Sequence, residues 1–147
     1  MSLVVEEQAF ASLAHSLEES QPQQEDVGHG LTLIRFMADV RTVINALLLG
    51  AGLEGARFRR LIEDYYRGEA DIPAAKAIIV FKGFAFYLYA KPFMDVEDVD
   101  VLLDLSDAET ERLDVEEVVP VAAAYEFSYD AERYAKSIDV ELIRLGL

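Results

Sequence analysis

Lys91, near the end of the run AIIVFKGFAFYLYAKP from Ala77 to Pro92, could serve chemistry or simply end a strand with its charged head in solvent, and the residues around it favour the second. Tyr87 and Tyr89 precede it at a spacing of two, so in an extended segment all three side chains share a face. Tyrosine rings can stack on a base, although tyrosines two apart in a strand more often form one half-buried face. Acids crowd the next stretch, at Asp95, Glu97, Asp98, Asp100 and Asp104. Their helical spacing distributes them around a helix cap and an exposed face, without the loop geometry and glycine of an EF-hand, so no metal is expected there. The chain has no cysteine, and its two histidines, His15 and His29, lie outside the expected core, which leaves zinc without a ligand set. Gly50, Gly52 and Gly55 match a dinucleotide-binding spacing but follow a helical pattern rather than a strand, so no cofactor is expected.

Composition narrows the partners. With 147 residues, 52% of them hydrophobic, the chain can bury one core and is short for two. Its formal charge of −15 repels phosphate backbones, so tight nucleic-acid binding would need a local basic patch. The candidate patch, Arg57, Arg59, Arg60 and Arg67, is interleaved with Glu54, Glu63 and Asp64 at spacings that suit a salt-bridged helix face. The longest apolar stretch is interrupted by Arg35, Asp39 and Arg41, and Glu6 and Glu7 replace the basic flank of a signal peptide. A cytoplasmic protein without a membrane span is the expectation.

These residues need elements to position them. Val5, Ala9, Phe10, Leu13, Ala14 and Leu17 fall on one face of a helix over 4–19, and the polar stretch 21–30 reads as a loop, the best boundary in the chain. An N-terminal unit over 1–30 and one domain over 31–147 follow. Residues 31–49 predict a helix that is apolar around most of its circumference, and 53–67 a second one, with Leu53, Phe58, Leu61, Ile62 and Tyr65 inward. The hairpin occupies about 77–81 and 84–91 around Lys82-Gly83. Asp95 caps a helix to about 105, and Ser106-x-x-Glu109 restarts a short one. A strand over 118–125, a helix from Ser128 to about Lys136 and a strand over 140–143 complete the order. This pattern is α/β, with α+β also open: a mixed sheet with a central hairpin flanked by helices.

From Leu48 to Ile143 this order resembles the core of the PD-(D/E)xK nucleases, the restriction-endonuclease-like fold, in the form found in uncharacterised archaeal nuclease-like families. Three patterns carry the resemblance: GLEGARFRRLIEDYY at 52–66, the hairpin ending in Lys91, and VVPVAAAYEFSYDAERYAKSIDVELI at 118–143. The last implies a closing strand-helix-strand whose helix sets Ala131, Tyr134 and Ala135 against the sheet. In that family an Asp and a Glu of the hairpin share a divalent metal while the lysine orients the attacking water. The resemblance places those acids at Ala77 and Tyr89, which cannot bind an ion that demands oxygen ligands of high charge density. It implies a vestigial, metal-free site of Ala77, Tyr89 and Lys91, and leaves the first strand of the usual meander short or absent, with only 69–75 available. Glu54 lies near a position where some such nucleases supply a further acid.

Two functions follow. The first is a catalytically inactive nuclease-like domain that acts through protein–protein contact, self-associating as a homodimer through the N-terminal helices. The alternative is a metal-dependent nuclease using a displaced acid, Glu54 or Asp71, with Lys91. Hairpin register separates the faces: a three-residue turn pairing Val80 with Phe84 and leaving Gly83 left-handed would put Ala77, Tyr89 and Lys91 on one side.

Overall fold

The structure, a computed structural model, describes residues 24–146. The helix expected over 4–19 lies outside them. Helix α1 runs Gln24–Leu53, so the backbone is already helical where a loop was expected over 24–30. By length and composition its Thr32–Leu53 portion, with a mean hydropathy of 1.4, is apolar enough to cross a membrane. Here its Phe36, Val40, Val43 and Ile44 side is buried on a sheet, as in the core helix of a globular domain. Each such side chain contributes roughly 1.5–3 kcal/mol of transfer free energy.

The chain then departs from expectation. Residues 58–67 form a strand, β1 (Phe58–Arg67), and not the continuation of a helix. The apolar spacing 58, 61, 62, 65 fits a helical face, but Gly55, at φ 87°, ends the helix with a turn that few other residues adopt. Beyond it, Leu61 and Tyr65 alternate toward α1 while Ile62 faces the other way, and pairing with the next strand satisfies the backbone groups on the inner side of the segment. Tertiary pairing overrides a weak local periodicity. The meander's first strand is thus complete.

A short 3₁₀ turn, Glu69–Asp71, leads to β2 (Pro73–Phe81) and β3 (Phe84–Ala90). Then follow β4 (Phe93–Met94), α2 (Val96–Arg112), β5 (Glu117–Ala124), β6 (Glu126–Phe127), α3 (Tyr129–Ser137) and β7 (Glu141–Arg144). The main sheet has five strands in the order β1-β2-β3-β5-β7; its first three pair antiparallel, and β5 and β7 continue parallel to β3. This is a mixed α/β architecture, with helices on both faces. α1 covers one face; α2 and α3 cover the other over β3, β5 and β7.

Asp95 caps α2 as expected, in a reciprocal box with Asp98. The helix does not break at Ser106, which is buried and donates its hydroxyl to the Leu103 carbonyl, so one helix spans both expected segments. Ser128 caps α3 through the Ala131 amide, and Ala131 and Ala135 are buried against the sheet with Tyr134 beside them. Small residues there let helix and sheet approach closely.

Candidate functional site

Hairpin register decides what surrounds Lys91. Val80 stands opposite Ala85 and Ala77 opposite Leu88, one residue away from the expected pairing, and the same register sets Phe81 beside Phe84 with their rings stacked at 4.9 Å. Gly83 does adopt a positive φ, of 93°, but within a two-residue connection. Stacking of two large rings across the turn, with Phe86 edge-on to Phe81, rewards this register over the one that separates apolar from mixed residues. A one-residue shift sends Ala77 to the opposite face. Ala77 packs with Ala75, Ile79, Leu88 and Ala90 under α1, while Tyr87 and Tyr89 face α2. The vestigial site of Ala77, Tyr89 and Lys91 is therefore not assembled.

The alanine that shares a cleft with Lys91 is Ala74. Together with Tyr66, Ile72, Tyr89, Asp98 and Val101 they line a cleft of about 440 Å³ at the end of β2 and β3, with Gly68, Glu69 and Ala70 at its lip.

Each wall has a local origin. Lys91 follows the last residue of β3, where its amide donates to the Ala123 carbonyl. Its Nζ reaches Asp98 Oδ1 at 2.7 Å, both side chains being largely shielded. Asp98 is also the third residue of α2 and accepts the Asp95 amide through Oδ2 at 3.1 Å, so one carboxylate ties the strand end to the helix cap. Tyr66, from β1, shares the cleft with Tyr89; burial first, then Tyr89, pushes its pKa up to about 12. Burial and the Asp98 charge raise Tyr89 as well. Both hydroxyls therefore keep their protons at neutral pH. Lys76 lies 5.3 Å above the Tyr66 ring, a cation–π contact.

Such a cleft presents ring faces, hydroxyl donors and an ion-paired lysine. It holds no pair of carboxylates beside Lys91: Asp98 is bonded to it, and Glu69 sits exposed on the lip. Among the described residues no group of three or more His, Asp or Glu is close enough to hold a metal ion. Neither displaced acid is brought in. Glu54 is exposed just after α1, beside the segment whose Arg57 carbonyl meets the Lys82 amide at the hairpin turn, and so lies the length of β2, roughly 25 Å, from Lys91. Asp71 is exposed and pairs with Arg67 at 3.3 Å.

The arginines expected on a helix face lie instead along β1 and its approach, all exposed.

No protein-family model matches the chain, and no curated protein matches it. Among solved structures, the apo form of EndoMS is similar over 70% of this chain and 45% of that one, at 16% identity and a TM-score of 0.42. The chain thus spans less than half of that protein's length.

Proposed function

We propose that this chain is a degenerate PD-(D/E)xK nuclease-like domain that has no hydrolytic site and works through protein–protein contact, including self-association, in the cytoplasm. One observation carries the reading: of 28 Asp and Glu residues, none falls between Pro73 and Lys91, the two strands from which a nuclease site takes its metal ligands. That statement is independent of register. At the end of the hairpin the positions beside Lys91 are Ala74 and Tyr89, a methyl group and a protonated phenol, neither of which neutralises a divalent ion. Lys91 is paired with Asp98.

Contact is supported by the outward side of α1. Thr42, Asn45, Ala46, Leu49 and Leu53 are exposed, and no charged residue lies between Thr42 and Leu53 in a chain that is 28% charged. Leu49 is 66% and Leu53 80% exposed, and such side chains next to one another favour a protein partner over water.

The test is incubation with single- and double-stranded DNA and RNA in Mg²⁺ and in Mn²⁺. No cleavage above the buffer rate is expected, and no submicromolar duplex binding at physiological salt. Cleavage that disappears in Lys91→Ala would overturn the reading.

A further inference from the structure

The sheet has two edges, β7 with four residues and β1 with ten, and among the described residues no strand pairs with the outer side of β1. Edges of this length are usually blunted by proline, by a bulge or by charged side chains. β1 contains no proline, and its bulge lies at the Phe58 end, next to Arg60. Its charges are of both signs. Arg60 and Asp64 stand two residues either side of Ile62 on the face away from α1, both are exposed, and neither makes an ion pair within the described chain.

We infer that two copies of the chain join through β1, antiparallel about a two-fold axis at Ile62, into one continuous ten-stranded sheet. An isologous contact sets residue i against residue j and j against i. Centred on Ile62, it places Arg60 opposite Asp64 of the partner subunit and Asp64 opposite Arg60 of the partner subunit, at the separation where cross-strand pairs interact. Competing registers are poorer. Sliding by two residues one way sets Glu63 against Glu63 of the partner subunit; sliding the other way separates Arg60 from Asp64 and leaves Leu61 at the centre. An axis perpendicular to the sheet also places both α1 helices on the same side of the joined sheet. Their uncharged outer residues then add area that a strand edge alone lacks, since a stable interface needs about 1,000 Å² in total.

The inference rests on the self-association part of the proposed function and fixes its seam. It is tested by light scattering and sedimentation on the full chain. Wild type is expected at twice the 16.4 kDa chain mass. Asp64→Arg alone, or Arg60→Asp alone, turns two attractions into two repulsions and is expected to weaken the dimer by about 30-fold. The double variant Arg60→Asp/Asp64→Arg restores it. Mixing the two single variants restores it too, because each then offers two like charges that meet the opposite pair on the other. If both singles stay dimeric while Leu49→Lys/Leu53→Lys is monomeric, the seam inference fails and association through α1 alone stands. A monomeric wild type at micromolar concentration removes both. Far-ultraviolet circular dichroism of each variant separates lost association from lost folding.

Discussion

The two faces of the β2–β3 hairpin treat their charges in opposite ways. Under α1, Arg41 Nη1 reaches both carboxylate oxygens of Glu63 at 2.8 Å, with the Glu63 side chain 1% exposed, and Tyr65 donates to the same carboxylate. On the other face, Lys91 and Asp98 pair at the wall of an open cleft, at 26% and 14% exposure. The first pair lies among hydrocarbon side chains and can lose neither member cheaply, because a buried charge without its partner costs several kcal/mol. The second can rehydrate. Ionic geometry alone therefore does not mark a functional group; the side with access to solvent and ligand is the one free to be used.

Three measurements sharpen or break this contrast. The largest effect is expected at the buried pair: Arg41→Met should lower urea-unfolding stability by about 3–5 kcal/mol, and adding Glu63→Leu should recover most of it. A loss below about 1 kcal/mol would show that water reaches this pair as it reaches the cleft. Next comes Asp98, which serves both the α2 cap and Lys91. Asp98→Ala should cost about 1–2 kcal/mol and Lys91→Met less than about 1 kcal/mol. Equal losses would mean that the ion pair, and not the cap, holds the strand end to the helix.

The smallest effect is read in alkali. Tyr66 has its pKa raised from 10.0 to about 12 in the folded protein, so the contribution of its protonated form is fully present below pH 10 and is lost as pH rises toward 12. Tyr65, Tyr87, Tyr89 and Tyr125 are raised as well, by burial first, and Tyr125 also donates to Asp39 at 2.6 Å. Stability should therefore fall between about pH 10 and 12, and Tyr66→Phe should make that fall shallower. An unchanged slope in Tyr66→Phe would place the phenol in solvent and open the cleft further than its walls indicate.

Several features were legible because they are local. Asp95 and Ser128 cap helices through bonds to amides three residues on, and glycine at Gly83 meets a positive φ that most side chains resist. β5 and β7 were legible as apolar runs over 118–125 and 140–143. That Ala74 and not Ala77 lines the cleft with Lys91 was not legible, because one residue of hairpin register decides it. Ser106-x-x-Glu109 was misread as a new helix start, since the same serine can donate to a carbonyl in mid-helix when its surroundings are buried.

By itself the sequence determined what chemistry the hairpin lacks: no order of folding can bring a carboxylate to β2 or β3 when neither strand contains one. It also determined the caps at Asp95 and Ser128, the hairpin, β5, α3 and β7, and the uncharged exterior of α1. Only tertiary structure decided that 58–67 is a strand, because its spacing suits either period and only the partner β2 makes one of them pay. It alone decided hairpin register, and with it which alanine stands beside Lys91. Side chains in a strand alternate by one residue, so a shift too small to alter any local propensity exchanges the two faces of the sheet.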